Sequence, residues 1–287
     1  MNIVIMHNDL FSKSEVPSMC LRDAERTEAF GRAIRRVVKP GDVVLDAGAG
    51  SGILSFFAAA AGARKVYAVE YDSGLADLLC RNIALNGFNE VIEVVRGDIR
   101  EVKLPVQADV LIAELIETWL LDELQIPAMN ALRANRAIGA KTKIIPEYYE
   151  AFATLGYVEA SCYGFQLPFP LHNWPFVEES SGWKTLPFVP ITERVKAFDL
   201  HFNRYLNPDF NLKIDAKPII GGTVNAVKLS GVAHLTSEIL LGPTVAFNGD
   251  KVIPVAAFEA QPGEPVILSL SGRWGGGLTD LLKTGQT

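Results

Sequence analysis

The stretch Val43-Val44-Leu45-Asp46-Ala47-Gly48-Ala49-Gly50-Ser51-Gly52-Ile53-Leu54 decides how the rest of the chain is read. An apolar, β-rich run ends in a glycine-rich turn, and the turn opens a helix. Glycine allows a sharp reversal and lets a ligand approach the backbone where a Cβ would collide. The helix start adds free N–H donors. Working outward, Lys65 to Glu70 reads as the next strand, and Glu70 stands 22 positions after Gly48. An acid at that point can accept hydrogen bonds from both hydroxyls of a ribose. Between these strands, Ile53 to Ala61 reads as a helix closed by Gly62. Gly74 to Asn86 follows as a helix stopped by Gly87. Val91 to Val95 and Asp109 to Ala113 read as strands, and Leu120 to Leu132 as a helix. This βαβα alternation predicts a mostly parallel sheet covered on both faces, an α/β fold of Rossmann-like type.

After Pro146 the pattern changes. Pro168, Pro170, Pro175, Pro187 and Pro190 punctuate one segment. Val224 to Leu229, Thr244 to Phe247 and Pro265 to Leu270 then look like strands, separated by Gly221-Gly222, Asn248-Gly249-Asp250 and Pro262-Gly263 turns. Strands and hairpins in succession predict a mainly antiparallel, barrel-like β domain. The expected division is 1–146 for a ligand-binding domain with an N-terminal helix and 147–287 for a β-rich, substrate-side domain. Phe169, Trp174, Phe176 and Trp183 lie in the proline-rich stretch and read as an irregular loop packed by its own aromatics. Asn207-Pro208-Asp209-Phe210 reads as a turn. Gly272-Arg273-Trp274-Gly275-Gly276-Gly277 reads as a late turn or, alternatively, an anion nest. Cys80, inside a helix, reads as a buried small hydrophobe.

Composition narrows the function. The chain has 287 residues, 49% of them apolar, and a formal net charge of -6. Those values describe an ordinary globular protein, long enough to bury a core without staples. Residues 1–146 carry 17 Lys+Arg against 19 Asp+Glu, and residues 147–287 carry 10 against 14. Neither half is a basic module, so a phosphate backbone is a disfavoured partner. The cluster Arg32, Arg35, Arg36 and Lys39 reads as a solvated helix end. Three widely spaced cysteines, Cys20, Cys80 and Cys162, give neither a disulfide framework nor a zinc cluster, and no metal-ligand spacing is found elsewhere. Apolar stretches are too short to span a bilayer, and Met1 to Met6 lacks the basic flank of a secretory signal. A cytoplasmic protein is expected.

Two ligands compete for the glycine turn. The dinucleotide fingerprint is G-x-G-x-x-G. Here the spacing is G-x-G-x-G, with Ile53 where a third dinucleotide glycine would stand. That spacing, with Asp46 two residues before Gly48, resembles motif I of class I methyltransferases, which bind S-adenosylmethionine. Glu70 and Gly97-Asp98-Ile99 follow in the same register. The resemblance implies a cofactor site built from Asp46, Gly48, Gly50, Gly52, Ile53, Leu54, Glu70, Asp98 and Ile99.

The fourth strand runs into Glu114, at the end of the sheet where ligands bind. A second acid, Glu123, follows nine positions later. Two carboxylates can close on one guanidinium, each offering two oxygens to a planar fork of donors. Glu117 and Asp122 are alternative candidates on the same stretch. Here the chain resembles the protein arginine methyltransferases, whose double-E loop carries two glutamates nine residues apart. Cys20-Leu21-Arg22-Asp23-Ala24-Glu25-Arg26-Thr27-Glu28-Ala29-Phe30 is similar to that family's segment before motif I. The resemblance implies that Arg26 holds the cofactor carboxylate. It covers about residues 19 to 146.

The departures are specific. The family's S-E-W-M-G is Ala113-Glu114-Leu115-Ile116-Glu117 here. Arg100 takes the place of an acid that often reads the adenine, leaving Asp98 for that end. None of His7, His172, His201 and His234 is followed by Trp, so the family's Thr-His-Trp loop is absent, and His172-Asn173-Trp174 echoes it poorly. The sequence therefore predicts methyl transfer to a nitrogen nucleophile, with Glu114 and Glu123 as catalytic residues. The substrate is expected to be arginine in a basic protein segment. The alternatives are RNA or another amine, or a cofactor-binding regulator without turnover. A homodimer is compatible with the sequence and not demanded by it.

Overall fold

The computed structural model describes residues 15–172 and 187–278, with the side chains of Glu15 and His172 left aside. Trp174, Phe176 and Trp183, and the stretch Met1 to Met6, lie outside the described residues.

Two short helices lead in, α1 (Glu15–Arg22) and α2 (Ala24–Val37). Asp23 separates them and caps α2, its carboxylate accepting from the Arg26 N–H at 3.1 Å. Such a cap contributes about 1 kcal/mol. Five parallel strands follow: β1 (Val43–Ala47), β2 (Lys65–Glu70), β3 (Ile92–Arg96), β4 (Val110–Ala113) and β5 (Lys143–Ile145). Helices α3 (Ile53–Ala60), α4 (Ser73–Leu85) and α5 (Gln125–Ala134) connect them. The sheet order is β3-β2-β1-β4-β5. Strands β1 and β4 are wholly buried, as continuous apolar runs must be when both sheet faces are covered. The order reverses between β1 and β4, so a crevice opens beyond their carboxyl ends.

The second domain is antiparallel. It contains β6 (Tyr148–Val158), β7 (Ser161–Cys162), β8 (Phe165–Gln166), β9 (Leu171–His172) and β10 (Phe188–Pro190). It continues through β11 (Val195–His201), β12 (Asp209–Ala216), β13 (Gly222–His234), β14 (Leu240–Leu241), β15 (Lys251–Ala260) and β16 (Val266–Arg273). The long strand β13 lies between β6 and β15, and β12 pairs with β16. No helix among the described residues is long and apolar enough to cross a membrane.

The structure revises several sequence expectations. The helix expected over Leu120 to Leu132 begins only at Gln125. Thr118–Leu120 form a single 3₁₀ turn, with Trp119 and Leu120 in the left-handed region at φ 64° and 56°. Residues in that conformation cannot continue a right-handed helix. Thr244 to Phe247 is a tight turn rather than a strand, closed by the Thr244 N–H donating to the Phe247 carbonyl at 2.9 Å. Cys80 is exposed, on the solvent face of α4. Asn207 forms an Asx turn through the Asp209 N–H at 3.1 Å, and β12 starts there. The N–H groups of Gly275 and Gly277 donate to the carbonyls of Leu120 and Leu121 at 3.0 and 2.8 Å, so this late turn grips the chain itself.

Candidate active site

The glycine turn follows β1 directly. Gly48, Gly50 and Gly52 all have positive φ. At Gly48 a Cβ would lie 2.8 Å from the Leu115 side chain, and at Gly52 it would strike Leu79 of α4. The turn is fastened from β2: the Gly48 and Ala49 N–H groups donate to the Val69 carbonyl at 3.1 and 2.8 Å. Glu70, at the end of β2, accepts from the Gly50 N–H at 2.8 Å and the Asp72 N–H at 2.9 Å. Desolvation pushes the Glu70 carboxyl up, and those backbone donors oppose the shift. Each bond occupies one lone pair, so the carboxylate keeps acceptor capacity for further donors.

A cleft lies over this turn. Its walls include Arg26, Gly48, Gly50, Ile53, Leu54, Glu70, Asp98, Ile99, Glu114 and Glu123. Ten of the twelve residues selected from the sequence are thus brought to one cavity. Asp46 and Gly52 stand behind its wall. Asp46 is buried and accepts from the Ser55 hydroxyl at 2.6 Å. Burial pushes its carboxyl up to about 6. At the opposite end, Asp98 is gripped by Arg100, whose guanidinium Nε donates to both carboxylate oxygens at 2.9 and 3.1 Å. This fork holds the Asp98 carboxyl below its usual range. Sequence reading did not select Val16, Pro17, Tyr71, Leu75, Leu115 or Leu124, which also line the walls, as does Asp122, an alternative candidate. They are mostly apolar residues whose types carry no signal for the cleft.

Glu114, just past β4, forms a buried ion pair with Arg26 of α2. Arg26 also donates from Nη1 to the Cys20 carbonyl at 3.3 Å. Its Nε is buried without a hydrogen-bond partner. A buried orphan donor on a cleft wall is costly unless a ligand completes it. Asp23 also reaches the second domain, accepting from the Thr244 hydroxyl and from the Ala246 N–H at 2.8 Å.

Between Glu114 and Glu123 the chain is pinned to the second domain. The Trp119 N–H donates to the Tyr149 hydroxyl at 3.1 Å, and the indole N–H donates to the carbonyls of Phe152 and Ser230 at 3.0 and 3.2 Å. Tyr149 donates to Asn248 Oδ1 at 2.6 Å, and Asn248 donates to the Gly231 carbonyl at 2.6 Å. Lys251, at the start of β15, is completely buried and meets Glu117, Asp122 and the Thr118 carbonyl. The two alternative acids of this stretch are thus engaged by one lysine, and Glu117 is not on the cleft wall. Glu123 is strongly perturbed. Desolvation, reinforced by Glu117 and Asp122, pushes its carboxyl up to about 8, against the pull of Arg26 and Lys251.

A five-stranded parallel sheet of this order, with a glycine turn after β1 and an acid closing β2, defines a class I S-adenosylmethionine-dependent methyltransferase resembling the protein arginine methyltransferases. The chain belongs to the same family as MJ1452, an uncharacterized protein of Methanocaldococcus jannaschii. The two are 33% identical over 261 residues, 91% of this chain and 93% of that one. The TRM5/TYW2 methyltransferase domain, as a family, matches residues 24–136. Protein arginine N-methyltransferase 1 of Oryza sativa subsp. indica is 39% identical over 118 residues, 40% of this chain and 30% of that protein. A chain of the Trypanosoma brucei PRMT1 enzyme–prozyme heterotetrameric complex with AdoHcy has the same fold. Its TM-score is 0.74 at 22% identity, over 91% of this chain and 89% of that one.

Proposed function

We propose that this enzyme methylates a guanidinium nitrogen of arginine in a basic protein segment, with Glu114 and Glu123 as the residues that grip the guanidinium. The observation that carries this reading is the placement of the two carboxylates. Nine residues apart, both stand on the wall of the cleft, whereas Glu117 is off that wall and Asp122, which shares it, is bound by Lys251. Two carboxylates facing one cavity suit a planar cation with five donors.

The residues present fit the cofactor. Arg26 offers a buried donor for its carboxylate, Glu70 offers acceptors for its ribose hydroxyls, and Asp98, its oxygens engaged by Arg100, would border the adenine. Gly48 and Gly50, with Ile53 and Leu54 beside them, line the wall between. Asp46 and Gly52 serve from behind by fixing the turn. The cofactor supplies an electrophilic sulfonium methyl for in-line displacement. The chain's own work is positioning and electrostatics: holding the nucleophilic nitrogen near and in line, and placing negative charge beside the cation before reaction. As a carboxylate, Glu123 binds the cation. Burial favours its neutral carboxyl in the empty cleft, and a bound guanidinium pulls it back toward the carboxylate, which can then accept the proton released on transfer. In the same reading residues 1–146 carry the cofactor and residues 147–287 approach the substrate. Three free cysteines support a reducing, cytoplasmic setting.

A second reading, transfer to an RNA base, draws support from the match of residues 24–136 to the TRM5/TYW2 domain. The acidic charge balance favours protein. A labelled methyl-transfer assay on native cell fractions separates the two. Label that survives ribonuclease and leaves with protease, recovered as methylarginine on hydrolysis, is the expected result. Label lost to ribonuclease overturns the arginine reading, and cofactor binding without turnover on any fraction overturns both.

A further inference from the structure

Lys251 belongs to the second domain, is absent from the cleft wall and is 0% exposed. A lysine so buried must be fully engaged, because an unsatisfied ammonium is among the costliest groups to bury. Its three donors meet Glu117, the Thr118 carbonyl at 3.3 Å and Asp122 Oδ2 at 2.6 Å. These partners lie at both ends of the turn Thr118–Leu120, whose two left-handed residues are costly to hold without support. The ammonium therefore acts as a clasp under the segment that runs from Glu114 to Glu123.

We propose that Lys251 is a positioning residue for methyl transfer: it draws Glu117 and Asp122 together beneath the loop, sets where Glu123 stands, and shields Glu123 from both like charges. This rests on the two-glutamate reading. The charged and titratable groups whose fields reach Glu123 are Glu117 and Asp122 within the loop, Arg26 of α2, Cys20 of α1 and Lys251 of β15. Arg26 pairs with Glu114, and Lys251 contacts both Glu117 and Asp122 directly.

Two full-length variants test this. Lys251→Met removes the Lys251 ammonium from both acids. The neutral triple variant Lys251→Met, Glu117→Gln, Asp122→Asn removes the clasp without leaving a buried unpaired charge, and so guards against failure of the single variant to fold. In both, calorimetry with S-adenosylhomocysteine should give an affinity within about twofold of the parent, since the cofactor contacts are elsewhere. For a basic peptide with one arginine, kcat/KM should fall by about 100-fold in the single variant and at least about tenfold in the triple. The acidic limb of the pH profile should move up by about one unit in the single variant and down in the triple. Carbon-13 resonances of labelled glutamate, assigned with Glu123→Gln, should move the same way. A triple variant with parental kcat/KM, or a folded single variant with an unmoved Glu123 midpoint, overturns the proposal. If the parent enzyme methylates no arginine peptide, the two-glutamate reading fails, and the Glu123 midpoint still decides whether Lys251 governs that carboxyl.

Discussion

The glycine turn after β1 and the acidic loop after β4 face each other across one cleft, yet they are held by different means. The glycine turn is fastened by its immediate neighbours: the Val69 carbonyl, the Glu70 carboxylate and the glycines' own freedom to take positive φ. Every one of those supports lies within the parallel-sheet domain. The acidic loop takes its supports from the far domain, from Tyr149, Phe152, Ser230, Gly249 and Lys251, and from the late turn at Gly275 and Gly277. The glycine turn is held locally and the acidic loop mainly from the other domain, and in the proposed assignment they are the cofactor and substrate sides of the cleft. Damage to the second domain should therefore separate the two activities.

The largest separation is expected from Glu114→Gln. In the proposed assignment it removes half of the substrate grip, together with the partner of Arg26, and kcat/KM should fall by about a thousandfold, on the scale of losing a preorganised charge contact. Affinity for the cofactor product, read by calorimetry, should change little. Near-parental turnover would remove Glu114 from the grip. Glu70→Ala attacks the other side. Loss of a charged hydrogen-bond partner should weaken cofactor binding by about 10–100-fold, and unchanged affinity would exclude the ribose role. Trp119→Phe is smaller and cuts across domains. It deletes the indole donor to Phe152 and Ser230 at a cost of about 1–3 kcal/mol. Thermal melting should show that loss. Peptide KM should rise while cofactor affinity holds, and a parallel decline in both would contradict the interdomain account.

The gentlest probe is pH. Asp46, in the glycine region, and Glu123, in the acidic loop, have carboxyls raised by burial to about 6 and about 8. Above about pH 4 the unfolded chain releases protons that the folded state still holds. Their contribution to stability is therefore full below about pH 4 and is lost as pH rises through 6 and then 8. Denaturant midpoints should fall across that window. Asp46→Asn should flatten the lower part and Glu123→Gln the upper, and a profile indifferent to both substitutions would show that neither carboxyl is raised.

This division also explains what can be read from the sequence. The parallel half is legible because strand, glycine turn, helix and strand follow one another within thirty residues, and apolar runs report burial directly. The nine-residue spacing of Glu114 and Glu123 is legible as a pattern. The conformation between them is not. Leu120 and Leu121 suit a helix by composition, but Trp119 is drawn into the second domain and the helix waits until Gln125. Tertiary contact overrides propensity there. Lys251 leaves only a faint trace, a single cation heading the apolar run Val252-Ile253-Pro254-Val255, and nothing in that spacing points back to Asp122. Cys80 fails for a simpler reason: residue type alone suggested burial, and the buried face of α4 is made by Leu75, Ala76, Leu79 and Ile83 instead.

The clasp between Asp122 and Lys251 joins residues 129 positions apart. On a ribosome adding about 5–20 residues per second, the chain that ends in the acidic loop waits roughly ten seconds for the lysine that shapes it. The Val69 and Glu70 contacts of the glycine turn are available far earlier. During synthesis a nascent chain gains the contacts that fix its glycine turn before it gains those that shape the loop proposed to hold the acceptor.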